Sequence, residues 1–368
     1  MTQKVYLGDI GDIRIGRTPP RKQPQWFSSS HGMKWVSIKD MGNTGKYISQ
    51  TNELLTMDAI SKFNIPIIPA GTLLMSFKLT VGRLGFTKYD MCSNEAIAQL
   101  PIKDVNVADK DYLYYYLSNF NFDSLSSTSS IATAVNSKTV KNIPIDLPLL
   151  DQQKKIADIL SSLDEKIELN RRMNETLEQL GQALFRHYFV DNPERSGWGK
   201  RSLGEFFPIK TGKKDANFGT NDGKFSFFTC AQTVSHAPSY SFDGSAILVA
   251  GNGDFNIKYY TGKFEAYQRT YVLMPYNEEL LGFLYFLMKK DLSLITGGSR
   301  GSVIKFITKG MIENYRVELP DDKCVAAFAP MFSELLTLMS RNNEQIYNLA
   351  TLRDTLLPQL MSGKVEVK

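Results

Sequence analysis

Few residues in this sequence are spaced for chemistry. Gly11-Asp12-Ile13-Arg14-Ile15-Gly16-Arg17-Thr18 comes close to the GxxxxGK[ST] loop that cradles phosphates, but Arg17 stands where the lysine belongs. Pro19-Pro20 follows directly and blocks the helix such a loop must start. A later counterpart, Ile209-Lys210-Thr211-Gly212-Lys213-Lys214, keeps one glycine and the cation without the loop spacing. Both read as a strand-to-loop turn carrying a positive charge. His31, His187 and His236 lie far from Cys92, Cys230 and Cys324, so no metal-ligand spacing, CxxC pair or disulfide framework appears. No GxGxxG follows a strand, no GxSxG elbow is present, and Asn192-Pro193-Glu194 is a linker rather than an adenine-methyltransferase tetrad. A nuclease pattern can be forced onto Asp321 and Glu366-Val367-Lys368 only across a long gap. The chain is expected to be non-catalytic and to hold neither metal nor cofactor of its own.

What turn-rich segments do supply is cations and amides. The first 150 residues contribute Arg17, Lys39, Lys78, Arg83, Lys138 and Lys141. Residues 198–320 contribute Lys213, Lys214, Gln232, Asn252, Lys258, Arg269, Arg300, Lys305 and Lys309. The run Gly297-Gly298-Ser299-Arg300-Gly301-Ser302-Val303-Ile304-Lys305 combines backbone freedom with positive charge, which suits close approach to a phosphate backbone. Any one of these reads more readily as solvated surface; repeated in two blocks, as a set, they support contact with double-stranded DNA. The charge distribution agrees. The chain carries +5, yet residues 1–150 hold 16 Lys/Arg against 12 Asp/Glu and residues 198–320 hold 15 against 11. Residues 151–197 (7 against 9) and 321–368 (5 against 6) are slightly acidic. Two basic blocks separated by near-neutral segments fit a polyanionic partner.

The elements that must position these residues follow a regular plan. Residues 151–190 have no internal proline and place Ile156, Leu160, Leu163, Ile167, Leu177 and Leu184 at alternating steps of four and three, with Asn170 in the seam. That is a coiled-coil pattern, and its helix would run roughly 55–60 Å. Before it, Lys34–Ile38 and Thr72–Phe77 read as strands, Asp111–Leu117 as a short helix with an aromatic face, and 124–130 as a Ser/Thr-rich loop. Leu147 before Pro148 marks the helix boundary.

The plan is repeated. Leu7-Gly8-Asp9 and Gly16-Arg17 return as Leu203-Gly204-Glu205 and Gly212-Lys213, offset by 196. Asn142 and Leu147-Pro148 return as Asn314 and Leu319-Pro320, offset by 172. The second offset holds through the helix: the seam set with Asn170 matches Phe328, Phe332, Leu335, Met339, Asn342, Leu349 and Leu356. An α+β fold is expected, with two mixed α/β domains in tandem, each followed by a long helix, and the two helices paired as an antiparallel coiled coil. The boundaries are 1–148 and 149–190 for the first domain and helix, 191–197 for a linker, 198–320 and 321–361 for the second pair, and 362–368 for a tail.

These residues resemble the specificity subunit of Type I restriction–modification enzymes over nearly the full length. Leu147–Leu160, Leu163–Glu168, Gln182-Ala183-Leu184-Phe185 and Tyr188-Phe189-Val190 look like the family's central conserved region. Ile15-Gly16-Arg17-Thr18-Pro19 looks like the start of a target-recognition domain, and Ser76–Gly82 like its internal strand-turn. Asn94-Glu95-Ala96-Ile97 departs from the family's Asn-Gln-Ala-Ile, and Asp321-Asp322-Lys323-Cys324 replaces its glutamine-rich helix entry. The resemblance implies that each mixed domain reads one half of a bipartite, asymmetric DNA site and that the helix pair sets the gap. It also implies docking of two methylation subunits, which carry S-adenosylmethionine, and of restriction subunits that use ATP and Mg. A cytoplasmic location with no membrane partner is expected, since no run approaches the ~20 apolar residues of a membrane span. The competing readings are a non-catalytic coiled-coil scaffold or a DNA-binding adaptor of another defence complex.

Overall fold

The computed structural model describes residues 2–42, 45–125, 136–220, 222–253, 255–297 and 306–367. Four helices organise it: α1 (Lys110–Ser118), α2 (Leu150–Phe185), α3 (Leu281–Thr296) and α4 (Asp322–Met361). The chain forms two compact units, Met1–Leu169 with Ile346–Lys368, and Asn170–Gln345. The divisions at Pro148 and Pro320 mark where the long helices start, but compactness divides the chain inside both helices. The cause is packing: each unit's globular part buries the start of one long helix together with the end of the other, or the reverse.

In the first unit a sheet of five strands runs in the order Arg14–Ile15, Ile97–Leu100, Leu73–Ser76, Leu84–Thr87, Tyr47–Ile48. Only the last pairing is parallel. Side chains alternate across it as strand geometry demands. Leu73, Met75, Phe86, Ala98 and Leu100 face a core shared with Tyr112, Leu113 and Tyr115 of α1, with Ile156, Ala157 and Leu160 of α2, and with Leu360 of α4. Leu74, Ile97 and Ile48 face the other way, onto Val36, Met41, Ile68 and Met91. A smaller sheet (Phe27–Ser28, Glu53–Leu55, Met33–Val36, Cys92–Ser93) closes that side.

The second unit repeats the scheme with longer strands: Ile209–Thr211, Thr270–Leu273, Phe242–Ala250, Ile257–Ala266, Phe225–Phe228, Ser235–Ala237. Ile247, Val249 and Leu273 pack towards Phe283, Phe286 and Leu287 of α3, Phe185 of α2, and Phe332, Leu335 and Met339 of α4. Ala246, Leu248 and Val272 pack on Phe228, Phe242 and Phe264. The aromatic cluster is dense, and each fully buried ring contributes roughly 1.5–3 kcal/mol. Short strand pairs, Gln3–Tyr6 with Pro144–Leu147 and Gly199–Ser202 with Arg316–Leu319, lead into α2 and α4 respectively.

Within each unit the two helix segments run antiparallel. In the first, Asp164 meets Arg353 while Leu160 shares a core with Leu360. In the second, Asn174 bonds Asn342 and the Phe185 ring packs tilted against Phe332. Ile156, Leu160, Ile167 and Asn170 are buried, as are Phe332, Leu335, Met339 and Asn342. Leu163, Leu177, Leu184, Phe328, Leu349 and Leu356 are only half-buried. Beside the first, Asp164 is buried instead; beyond Leu184, Phe185 and Phe189 take the deep positions, the latter on a π-helical turn, Arg186–Val190, that shifts the register. The seam asparagines form a polar layer: Asn170 donates to Gln345 at 3.1 Å and Asn342 to Asn174 at 2.8 Å. Asn170 Oδ1 is buried without a hydrogen-bond partner, a cost that suits register-fixing rather than stability.

Two further features come from the helix entries. Gln153 is fully buried: it accepts from the Asp109 amide at 2.8 Å and donates to the Val107 and Pro148 carbonyls at 3.0 and 2.8 Å. At the 172 offset stands Val325, buried in the apolar core of the second unit. The departure at Asp321–Cys324 therefore accompanies a change of core chemistry, amide to valine. α4 is also the one described helix whose length and mean hydropathy (1.2 over its most apolar window) match a membrane span. Part of its apolar side packs into the two cores just described.

Candidate nucleic-acid interface

Strand register brings the cation-bearing turns to one end of each large sheet. In the first unit Ile97 pairs with Ser76 and Ala98 with Ile15, so the turn after Ile15, the hairpin tip after Ser76 and the segment before Ile97 share an end. Backbone bonds tie them: Gly16 N to Ile97 O (3.3 Å), Arg17 N to Ser93 O (2.9 Å), Phe77 N to Ala96 O (3.0 Å). Gly16 is obligatory, since a Cβ there would lie 2.1 Å from the Ser93 carbonyl oxygen. In the second unit Ala250 pairs with Thr270 and Thr211 with Tyr271, giving the same convergence. Gly212 N donates to Thr270 O at 3.1 Å and Gly251 N to Arg269 O at 2.8 Å, and a Cβ on Gly212 would lie 2.1 Å from Ala266 O. The glycine-cation turn that looked like an imperfect phosphate loop is a sheet-end turn pressed on the neighbouring strand's entry.

The fifteen candidate contact residues then sort by environment. Lys39, Lys78, Lys213 and Arg269 are exposed on turns at these sheet ends. Gln232 is exposed, and Asn252 half-buried at the second hairpin tip, where its backbone pairs with Phe306. Lys214 is half-buried with its ammonium 4.5 Å from the Phe218 ring centroid. Three others hold the frame. Arg17 donates to the carbonyls of Phe63 (3.2 Å) and Asn64 (3.0 Å). Arg83 donates to Ile38 O at 2.9 Å, clamping the first hairpin tip to the turn that carries Lys39. Lys258 donates to Ala231 O at 2.6 Å and to Asn256. Lys141 lies apart, packed on Gly8 beside the strand pair that feeds α2; Lys138 is exposed on the same short helix, Ser137–Lys141. Lys309 is exposed in the first turn of Lys309–Glu313, which follows Ile307, itself bonded to Gly251. Arg300 and Lys305 lie outside the described residues, as does most of the Ser/Thr-rich loop at 124–130.

Sequence patterning missed the supports. Trp35 Nε1 donates to Arg17 O at 3.1 Å, and the buried Asp40 carboxylate gathers the Ser37 amide and hydroxyl and the Asn52 amides, fixing the Lys39 turn. In the second unit Asn256 donates to Cys230 O at 2.9 Å, and Tyr271 Oη donates to Ile307 O at 2.9 Å; burial pushes that phenol's pKa up. These ends hold hydrogen-bonding turns and cations on a stiff frame, as backbone-plus-groove contact with a duplex requires. Among the described residues no cluster of three or more metal-ligating side chains is gathered.

Comparison with known proteins agrees. A family model described as the Type I restriction modification DNA specificity domain matches residues 2–179 and again 195–348. The Type I restriction enzyme EcoDI specificity subunit of Escherichia coli is 41% identical over 172 residues, covering 46% of this chain and 38% of that protein. The MjaIX specificity subunit of Methanocaldococcus jannaschii is 24% identical over an alignment covering 98% of this chain and 93% of the relative. In structure, the Type I restriction–modification S subunit from M. genitalium superposes with a TM-score of 0.58 at 17% identity, covering 98% of this chain and 96% of that one.

Proposed function

This chain belongs to the Type I restriction–modification DNA specificity family, and from that premise we propose that it reads a bipartite, asymmetric duplex site, one half per unit. The observation that carries this reading is the sheet end built twice with one frame and different side chains. Gly16 and Gly212 occupy the same wedge, while the exposed cations around them differ, Lys39 and Lys78 at one sheet end and Lys213 and Arg269 at the other. The hairpin tips differ likewise, Lys78-Leu79-Thr80 against Asn252-Gly253. Equal frames with unequal readers call for unequal half-sites. The long helices act as the spacer between them.

The chain is the non-catalytic subunit; adenine methylation with S-adenosylmethionine and ATP- and Mg-dependent cleavage fall to two methylation subunits and the restriction subunits it docks. The helices offer apolar surface for such partners: Ile159 and Leu169 of α2 and Leu352 of α4 are exposed in the first unit, Met173 and Leu180 of α2 in the second. The test is duplex binding by the chain assembled with its methylation subunits, on oligonucleotides carrying the motif that host methylome sequencing reports. Binding should collapse when the gap between half-sites changes by one or two base pairs, and should fall steeply with salt. Indifference to gap length overturns the spacer role; a flat salt response favours a protein-binding scaffold.

A further inference from the structure

The hairpin tip of the first unit displays a side chain that folding does not account for. Leu79 is 96% exposed, and its backbone sits in the left-handed region at φ 62°. There an L side chain crowds the following carbonyl, so glycine is the usual occupant. The turn imposes the conformation. The Ser76 hydroxyl donates to Thr80 O at 2.5 Å and accepts from the Arg83 amide at 3.0 Å. The Gly82 amide donates to Ser76 O at 2.9 Å, and Gly82, at φ 89°, is closed against the Phe122 ring. In the second unit the corresponding tip meets the same demand with Gly253, φ 71°. A leucine held in a strained conformation by an over-determined frame, and left in water, gains nothing from folding; such residues concentrate at contact sites. Its surroundings name the contact. Lys78 beside it is exposed, and register sets the tip at the sheet end that carries Arg17.

We propose that Leu79 is an apolar base contact of the first half-site: with Lys78 at a phosphate, it enters the major groove and covers the 5-methyl group of a thymine. The proposal rests on the DNA-reading role above. That methyl is the apolar group base pairs present in the major groove, and a side chain fixed outward by its turn meets it without ordering a loop.

The test uses the chain assembled with its methylation subunits in a host whose methylated motif is read by long-read sequencing, for the native chain, Leu79→Ala and Leu79→Gly. Both variants should relax one thymine position of one half-site and leave the other half-site unchanged. On oligonucleotides carrying the native motif, deoxyuridine at that thymine should weaken native binding roughly four-fold, the value of one buried methyl, and leave the variants unaffected. Glycine suits the turn's backbone, so Leu79→Gly should melt no lower than the native chain, which separates lost reading from lost folding. A motif unchanged in both variants, equal weakening at every position, or uracil bound like thymine overturns the contact. So does a bend in the bound duplex that disappears in Leu79→Ala without any effect of the methyl, since that marks a wedge between base pairs. A native complex that methylates no bipartite motif overturns the DNA-reading role beneath it.

Discussion

In the first unit a guanidinium nitrogen of Arg353, on α4, lies 2.6 Å from one carboxylate oxygen of Asp164, on α2, while Tyr115 Oη donates to the other at 2.6 Å. Lys46 extends the group, reaching Ser161 at 2.8 Å and Asp111 at 2.7 Å. Sheet edge, α1 and both long helices thus share one charged network, with Asp164 and Lys46 side chains 9% and 6% exposed. At the 172 offset the second unit has Leu336 for Asp164 and Gly181 for Arg353, and the Phe286 ring lies over that glycine. Its carboxylate anchor is Glu178, held by Tyr285 (3.2 Å) and Lys289 (2.6 Å).

Arg353→Leu should therefore destabilise the first unit by about 3 kcal/mol, because it strands a buried carboxylate. The Asp164→Leu/Arg353→Leu double variant should recover more than half of that loss. Urea unfolding of the four chains of the cycle measures it; additive losses would show that the pair is not coupled.

Alkaline pH should unfold both units through their anchoring tyrosines. Burial, then the Asp164 charge and its hydrogen bond, raise the Tyr115 pKa; burial, then Glu178, raise that of Tyr285. Burial pushes Tyr259 and Tyr114 up to about 12. A phenol whose folded pKa is raised contributes stability that is whole below its unfolded value of 10.0 and lost as pH climbs through the folded value. Stability should be flat up to about pH 9.5 and fall above it, with a shallower fall in Tyr115→Phe and Tyr285→Phe. Guanidine melts between pH 8 and 11.5 supply the slopes, and identical slopes in all three chains would refute the assignment.

Gly16→Ala and Gly212→Ala should each displace one glycine-cation turn. The added methyl meets backbone oxygens at 2.1 Å, which cannot yield as a flexible side chain does. Each is expected to cost about 1–3 kcal/mol, as overpacking does, and to weaken binding at one half-site only. Footprinting of each variant complex on the native motif separates the half-sites; equal protection of both would contradict the placement.

Most of the architecture was legible because it is local and periodic. Three-four stepping, a proline before each helix and a constant 172 offset declare the long helices and the duplication. What was not legible depends on neighbours distant in sequence. Leu163 fits the seam by spacing, yet Asp164 is the buried residue, because Tyr115 and Arg353 come from two other elements to satisfy it. Arg17, Arg83 and Lys258 are candidate phosphate contacts by residue type; that they also hold the carbonyls of Phe63, Ile38 and Ala231 is set by folding and cannot be read from type or spacing. Gln153 shows the converse, a polar residue at a helix entry that is wholly structural.

The same sorting predicts how charge removal divides. Lys39, Lys78, Lys213 and Arg269 stand exposed at the sheet ends. Replacing any one with alanine should leave the melting temperature within a degree or so, as exposed substitutions do, and lower the slope of log affinity against log salt by about 0.9. Arg83→Ala and Lys258→Ala should do the reverse at first order. The first leaves the half-buried Ile38 carbonyl without its guanidinium and the second unties the exposed Ala231 turn, each costing about 1–2 kcal/mol, while the salt slope changes by much less than one ion. Binding isotherms of the assembled complex at four salt concentrations, paired with melting curves of the same samples, place every cation in one class. Were Arg83→Ala to drop the slope by a full ion without lowering the melting temperature, its guanidinium would be a phosphate contact and the clamp on Ile38 incidental.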